Sequence, residues 1–275
     1  MSKVIALCNQ KGGTGKTTSA INISSYLALA GKKVLLIDLD PQANATSGLG
    51  VNKHNIKKST YHILLDELDI QETLQPTGVA DLSLAPSNLD LTGAEVELVS
   101  VLGREYRLKK ALEKVRGEFD FILIDCPPSL GLLTVNALCA ADSAIIPVQC
   151  EFYALEGLTQ LVSTINLVKD NLNPELKIEG VLLTMADYRT NLTKEVIQEA
   201  RNFFHEKVYK TVIPRNIRLS EAPSFGKPIA LYDKDSVGAQ RYAALAGELS
   251  GLKVPEVRLD NSTQEESKEE IKSGE

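Results

Sequence analysis

The chain has 275 residues, of which 43% are hydrophobic and 24% are charged, and its formal net charge is −6. These proportions are typical of a soluble globular protein, and no apolar run approaches the ~18 residues of a membrane-spanning helix. The scattered cysteines lack Cys-x-x-Cys spacing, which excludes a disulfide framework or zinc module and predicts a reducing, cytoplasmic environment.

The first predicted elements are a strand over residues 4–8, a glycine-rich loop and a helix over residues 16–30. Because the strand begins so early, we expect no signal peptide. Glycines allow consecutive backbone N–H groups to surround phosphate oxygens, and the helix N-terminus adds its positive end. Lys16 can reach the β- and γ-phosphates, and the Thr17 hydroxyl can ligate Mg²⁺. The segment therefore predicts a nucleotide-binding loop, formed by Lys11, Gly12, Gly13, Thr14, Gly15, Lys16, Thr17 and Thr18.

The start of this loop differs from the usual phosphate-loop pattern. Gln10 stands where a glycine is expected, five residues before Gly15, and a second lysine, Lys11, follows it. A lysine at this position points away from the γ-phosphate of its own nucleotide. It is therefore either a solvated loop residue or a cation that reaches a nucleotide on a second subunit.

The rest of the chain alternates short apolar runs with helical patterns. Several runs are apolar on successive residues, as in strands covered on both faces. The alternation predicts an α/β fold with one doubly wound, mostly parallel sheet and helices on both faces. We expect one domain over residues 1–253 and an acidic, disordered tail over 254–275. Further strands are predicted at 33–38, 82–85, 121–125, 144–148, 178–184 and 208–213, and helices at 104–116, 129–140, 155–171, 192–207 and 236–249.

Three aspartates lie at or just beyond the ends of predicted strands: Asp38, Asp40 and Asp125. An aspartate at such a position is often only a turn or helix cap. Parallel strands bring their carboxyl ends to one edge of the sheet, where ligands bind. Three acids beside a phosphate loop therefore favour a site for Mg²⁺ and the attacking water.

A basic zone occurs near the end of the predicted domain. Between residues 207 and 227 there are five lysines and arginines and one acid. Such a run is often solvated surface, but on an acidic protein it can also attract nucleic acid.

Four segments, in this order along the chain, resemble the ParA/MinD family of deviant Walker A ATPases. They are the two-lysine loop over residues 11–18, the second box over 35–46, the Walker B segment over 121–129 and a late signature over 213–224. The last of these is similar to the signature of chromosome-partitioning ParA proteins of the Soj type. The resemblance spans residues 3–250 and implies a P-loop ATPase with ATP and Mg²⁺ as its cofactors.

The resemblance also implies roles for residues of the site. Thr17 would ligate Mg²⁺ directly, and Asp38 and Asp125 would lie in the outer shell of the metal. Asp40 would also lie in that outer shell, and it would orient or activate the attacking water. Lys11 would stabilise charge on the transferring phosphoryl group across an ATP-sandwiched homodimer.

Partners are implied in the same way. Met185, Pro214 and Asn216 would flank the adenine base, while sequence-independent contacts to double-stranded DNA would come from Arg189, Lys210, Arg215, Arg218 and Lys227. A ParB-like centromere-binding protein would stimulate hydrolysis of nucleoid-associated dimers, and a further role in replication control stays open.

Three other functions on the same scaffold are less compatible with the sequence. A membrane-positioning ATPase of the MinD kind would need a basic amphipathic helix at the end of the chain, whereas residues 262–275 are acidic and contain one isoleucine. An iron–sulfur carrier needs paired cysteines, and a bacterial tyrosine kinase would have a tyrosine-rich tail. We therefore expect no membrane partner.

Overall fold

The computed structural model describes residues 2–151 and 156–252. Seven strands form one sheet in the order β3-β4-β2-β5-β1-β6-β7, and every neighbouring pair is parallel except β3 with β4. The predicted doubly wound α/β fold is confirmed. The strands are β1 (Lys3–Leu7), β2 (Val34–Asp38), β3 (Gln75–Pro76), β4 (Leu82–Ala85), β5 (Phe121–Asp125), β6 (Ser143–Gln149) and β7 (Lys177–Thr184).

Helices cover both faces of the sheet, and none in the described ranges is both long and apolar enough to span a membrane. The described residues form α1 (Lys16–Leu29), α2 (Asn44–Gly48), α3 (Thr60–Leu65), α4 (Leu91–Glu97), α5 (Arg107–Glu113), α6 (Leu132–Ala140), α7 (Glu156–Asn171), α8 (Asn191–Phe204), α9 (Ile217–Glu221), α10 (Ile229–Tyr232) and α11 (Val237–Ser250).

The central strand β1 shows why the sheet is buried on both sides. Val4 and Ala6 point into a core shared with α5, α6 and α7, while Ile5 and Leu7 point into a second core shared with α1 and α11. All four side chains are fully buried. Hydrophobic residues at successive positions are therefore required here, as the sequence pattern indicated.

The predicted strand over residues 208–213 is wrong as a regular strand. The backbone of this segment donates two hydrogen bonds to β7, from the Tyr209 N–H to Val181 O at 3.0 Å and from the Ile213 N–H to Leu183 O at 2.9 Å. Between them, the Glu248 carboxylate of α11 accepts the N–H groups of residues 210 and 211, at 2.7 and 3.1 Å. A side chain thus takes donors that a strand ladder would have used.

The remaining differences concern short elements and helix ends. The sequence analysis missed the two-residue strand β3 and the short helices α2, α3, α4, α9 and α10. The helix predicted from residue 104 begins with a 3-10 turn over Arg104–Tyr106, and the one predicted from 129 begins at Leu132. The acidic tail predicted over 254–275 lies outside the described residues, so the proposed domain boundary stays a prediction.

Candidate functional site

The loop between β1 and α1 lies at the centre of the sheet and has a backbone that depends on two of its glycines. Gly13 has a φ of 74° and Gly15 a φ of 86°, both in the left-handed region that side chains disfavour. Gly12 has no positive φ, and a Cβ added there would meet no atom closer than 4.0 Å. The backbone of the loop therefore requires glycine at positions 13 and 15, whereas position 12 could hold another residue without strain.

Two neighbouring strands hold this loop in place. Asn9 donates from Nδ2 to the Pro147 carbonyl at 2.7 Å and accepts the Lys11 N–H on Oδ1 at 3.0 Å. The Thr184 hydroxyl at the end of β7 donates to the Thr14 carbonyl at 2.9 Å. Contacts from β6 and β7 thus preorganise the loop, so little conformational entropy remains to be lost when phosphate binds.

The two lysines of the loop face different surroundings. Lys16 is 6% exposed and its Nζ donates to the Lys11 carbonyl at 3.2 Å. Burial lowers the pKa of Lys16, although the nearby Asp125 carboxylate opposes that shift. The Lys11 side chain is exposed and forms no hydrogen bond or ion pair with any described residue. One cation therefore faces into the site and the other faces outward.

Asp125 ends β5 beside this loop and is fully buried. No hydrogen bond of good geometry from a described residue reaches either carboxylate oxygen. Burial raises the pKa of Asp125 well above its usual range, and the Asp38 charge adds to that shift, while the Thr17 hydroxyl and Lys16 oppose it. Two buried oxygens without partners suit a hydrated cation, whose water molecules could donate to them.

Among the described residues, no group of three or more His, Cys, Asp or Glu side chains could hold a metal directly. A cation here would therefore depend on few protein ligands, which is the usual way Mg²⁺ binds beside nucleotide phosphates. Thr17 and Asp125 fit such a hydrated ion. Bound there, Mg²⁺ would neutralise charge on the phosphate oxygens.

Asp38 lies next to Asp125 in the register of β2 and β5, but its oxygens are already engaged. Oδ1 accepts the Asp40 N–H at 3.1 Å, and Oδ2 accepts both the N–H and the hydroxyl of Thr46, at 2.8 and 2.7 Å. Burial raises the pKa of Asp38 to about 6, although these hydrogen bonds oppose the shift. In this structure Asp38 fixes the segment that carries Asp40.

Replacing Thr46 with alanine is expected to destabilise the fold by about 1–3 kcal/mol. The buried Thr46 hydroxyl donates to Asp38 and accepts the buried Ser87 N–H at 3.0 Å, so its loss leaves both groups short of a partner. Denaturant unfolding measures the change. Thr46→Ser, which keeps the hydroxyl, should lose much less, and equal losses for the two variants would contradict this role.

Asp40 follows β2 at the same edge of the sheet and is 7% exposed. Its Oδ1 accepts the Gln42 N–H at 2.9 Å, and its own N–H is held by Asp38. These contacts orient the side chain on a constrained turn. The structure therefore brings together Lys16, Thr17, Asp38, Asp40 and Asp125, as the sequence analysis expected of acids at strand ends.

The residues expected beside adenine meet at the end of β7. Met185 has a φ of 53°, an uncommon conformation for a non-glycine residue, and the next residue forms a β-bridge with Pro214. Asn216 accepts the Leu219 N–H at 3.3 Å and so begins α9. The three residues lie on adjoining segments, while their contact with a base stays a prediction.

The arginines of the predicted DNA surface are all paired with acids. Arg189 donates from Nε and Nη2 to Asp187 at 2.9 and 2.7 Å, and this contact lowers the pKa of Asp187 to about 2. The Arg215 guanidinium lies 3.4 Å from a Glu151 carboxylate oxygen. Arg218 contacts Glu221 at 3.0 Å and Asp233 at 3.3 Å.

The two lysines of that surface behave differently. Lys210 and Lys227 are exposed, and neither side chain forms an ion pair within the described residues. The Lys210 N–H donates to Glu248 of α11. Arg189 and Arg215 lie on two segments that adjoin at Ala186, whose carbonyl accepts the Arg215 N–H at 3.0 Å. The basic zone is therefore spread over several elements.

Sequence reasoning missed the residues that support the site. Asn9 is adjacent to the loop, but nothing in the sequence indicates that its side chain reaches Pro147, 138 residues away. Thr46 lies within the second box. Its hydroxyl suggests a polar contact, but the sequence does not indicate that the partners are Asp38 and Ser87. Both depend on contacts that only the sheet creates.

Comparison with known proteins assigns a family. A family model described as an AAA domain matches residues 2–178. The chain is 58% identical over 250 residues to the Sporulation initiation inhibitor protein Soj of Bacillus subtilis. The aligned region covers 91% of this chain and 99% of that protein. It is 55% identical over 255 residues to the Chromosome partitioning protein ParA of Myxococcus xanthus, covering 93% and 90%.

A solved structure is similar over the same region. Cobyrinic acid a,c-diamide synthase from Mycobacterium smegmatis, with bound ADP and magnesium, superposes with a TM-score of 0.79 at 38% identity. The match covers 94% of this chain and all of that one. Its identity is well below that of the two partitioning relatives, so it supports the fold and the type of site more than a shared activity.

Proposed function

The chain belongs to the ParA/Soj family of chromosome-partitioning P-loop ATPases, and on this premise we propose that its ATP-bound homodimer binds duplex DNA without sequence preference. Mg²⁺-dependent ATP hydrolysis, weak until a ParB-like partner stimulates it, would release the dimer. The protein would act in the cytoplasm on the nucleoid. The observation that carries this proposal is that the phosphate loop has two lysines, of which Lys16 faces into the site and Lys11 faces outward.

Hydrolysis would use the inward-facing half of the site. An incoming phosphate offers Lys16 a charged partner in place of the Lys11 carbonyl, which is a stronger interaction in a buried site. Thr17 would hold Mg²⁺ directly and Asp125 would hold it through water. Asp40, held by Asp38 and Gln42, would accept a hydrogen bond from the attacking water.

Dimerisation would use the outward-facing half. Lys11 has its backbone fixed by Asn9 and its side chain unpaired within the described residues, so its charge is available to a nucleotide bound by a second subunit. A two-fold dimer would place each Lys11 beside the phosphates held by the partner. The dimer is therefore expected only when ATP is bound.

Replacing Gly12 with valine should prevent this dimer while leaving the monomer folded and able to bind ATP. The backbone at Gly12 needs no glycine, and a Cβ there meets only Pro128, at 4.0 Å. A branched side chain would instead occupy the space between two facing loops. Light scattering with ATP, beside thermal unfolding and nucleotide titration, separates these effects. A variant that still doubles its mass would contradict the close approach.

DNA binding would rest on phosphate contacts, since the sequence has no recognisable base-reading motif. Each paired arginine must share or exchange its carboxylate when it meets a phosphate. Solvent screens exposed ion pairs of this kind, so they contribute little to stability and the exchange costs little. Two such surfaces in one dimer convert the second contact into an intramolecular one, and the avidity gained explains a dependence on ATP.

The test reverses single charges on this surface. Arg189→Glu and Arg218→Glu should each abolish gel shifts of a hydrolysis-deficient dimer, because each adds a charge that repels phosphates beside an existing acid. ATP-driven dimerisation should stay intact. Lys169→Glu, on an exposed position of α7 outside the predicted surface, is the matched control. If all three variants shift duplexes like the parent, the assigned surface is wrong.

A further inference from the structure

Two backbone segments that are far apart in the sequence meet at a pair of glycines, Gly50 and Gly226. Their φ angles are 82° and 62°, both in the left-handed region. A Cβ added to Gly226 would lie 2.7 Å from the Gly50 Cα, and one added to Gly50 would lie 3.0 Å from the Gly226 carbonyl oxygen. Packed carbon atoms are usually about 3.5–4.0 Å apart. The two backbones are therefore in direct contact, with no space for a side chain on Gly226.

The segment that contains Gly226 is anchored to the helix that follows the phosphate loop. Gly226 ends the 3-10 turn Ala222–Phe225. Three residues further on, the Ile229 N–H donates to Asn22 Oδ1 of α1 at 2.8 Å, and Asn22 Nδ2 donates to the Thr18 carbonyl at 2.8 Å. Because α1 begins with the residues that would hold phosphate and Mg²⁺, these contacts fix the Gly226 segment relative to them.

The segment that contains Gly50 leads back to Asp40 through consecutive hydrogen bonds. The Gly50 N–H donates to the Ser47 carbonyl at 2.9 Å. Ser47 in turn donates from its N–H and its hydroxyl to the Ala43 carbonyl, both at 3.0 Å, and the Ala43 N–H donates to the Asp40 carbonyl at 2.9 Å. These residues form one continuous series of contacts, so a displacement of Gly50 is passed to the turn that holds Asp40.

The conformation of Ala43 shows that this turn depends on its surroundings. Ala43 is fully buried and has a φ of 54°, which is unfavourable for a residue with a side chain. Such strain persists only where neighbouring contacts fix the backbone. Thr46 supplies contacts on one side, since its N–H and hydroxyl donate to Asp38. The contact between Gly50 and Gly226 fixes the other end of the segment.

From these observations we infer that Gly226 is a positioning residue for ATP hydrolysis. Through its contact with Gly50 it fixes the turn that carries Asp40 relative to the phosphate loop, although it is not one of the residues expected to touch ATP or Mg²⁺. The inference deepens the proposed function and rests on the role proposed there for Asp40. Turnover then has two requirements: the Asp40 carboxylate must be present, and the far end of its segment must be held in place.

The test places a methyl group in this contact. Gly226→Ala does so directly, and Gly50→Ala does so from the opposite side, which keeps the test available if the first variant does not fold. Alanine at a positive φ also strains the backbone. Gly103→Ala and Gly31→Ala, with φ values of 66° and 79°, are the matched controls for this strain, because a Cβ at either position would meet no atom within 4 Å.

We expect Gly226→Ala and Gly50→Ala to release phosphate at least about tenfold more slowly than their controls in single turnovers, since a misplacement of about 1 Å can lower a rate by about 10²-fold. The affinity for a fluorescent ATP analogue and the ATP-driven doubling of mass should match those of the controls, because the phosphate loop is unchanged. Thermal unfolding verifies that each variant is folded at the temperature of the assay.

A double-mutant cycle separates a positioning role from a general disturbance of the fold. If Gly226 acts through Asp40, adding Gly226→Ala to the Asp40→Ala protein should cause little further loss of turnover. A further loss as large as that in the parent, turnover equal to that of Gly103→Ala, or a parallel loss of ATP affinity would overturn the inference while leaving the role of Asp40 intact. If Asp40→Ala itself hydrolyses ATP at the parent rate, the role proposed for Asp40 fails, and the inference fails with it.

Discussion

Replacing Asp40 with alanine is expected to lower ATP turnover by about 10²-fold or more, the usual contribution of a general base, while ATP binding persists. Asp40 is the acid on a constrained turn beside the loop, whereas Asp38 is engaged in holding that turn and the buried Asp125 is the acid assigned to Mg²⁺. The contacts of Lys16 and Thr17 with phosphate and Mg²⁺ do not involve Asp40. The variant should therefore accumulate as an ATP-bound dimer.

Phosphate release under single-turnover conditions, beside equilibrium binding of a fluorescent ATP analogue, measures the two effects separately. Asp170→Ala, which removes an exposed carboxylate on α7, is the matched control and should behave like the parent. An Asp40 variant that hydrolyses ATP at the parent rate would show that another group handles the attacking water.

Adding Lys11→Ala to the Asp40→Ala protein is expected to remove the ATP-driven dimer altogether. The Lys11 backbone carries the contacts of the loop, with its N–H on Asn9 and its carbonyl on Lys16, so the substitution removes only the outward-facing charge. Without that cation, the phosphates of two facing nucleotides would repel each other across the interface.

Light scattering with and without ATP measures the mass. The single Asp40→Ala variant should double its mass with ATP, and the double variant should stay monomeric while still binding the nucleotide. Lys57→Ala in the same background removes an exposed lysine outside the loop and should leave the dimer intact. A double variant that dimerises as well as the single one would refute the sandwich model.

The sequence predicted well what depends on local pattern. The β1–loop–α1 unit, the buried strands and the convergence of Asp38, Asp40 and Asp125 follow from apolar runs and from the rule that parallel strands end at one edge. The register of β2 and β5 then places Asp38 opposite Asp125. None of this required knowledge of a distant contact.

Distant contacts account for what was missed. Residues 208–213 have the composition of a strand, but Glu248, 38 residues further along, takes the N–H of residue 210. Likewise, Arg218 could be recognised as basic, while its contact with Asp233 depends on how α9 packs beside α10. A pattern of residue types predicts elements, whereas the partners of a particular side chain follow from the fold.

The central claim is that ATP assembles a dimer that binds DNA through its phosphates. The most direct measurement is the affinity of the Asp40→Ala protein for two duplexes of unrelated sequence, with ATP, with ADP and without nucleotide, at low and physiological salt. We predict binding only with ATP, with equal affinity for both duplexes and a steep loss as salt rises. Failure of the ATP-bound dimer to bind either duplex, or equal binding without nucleotide, would contradict the account.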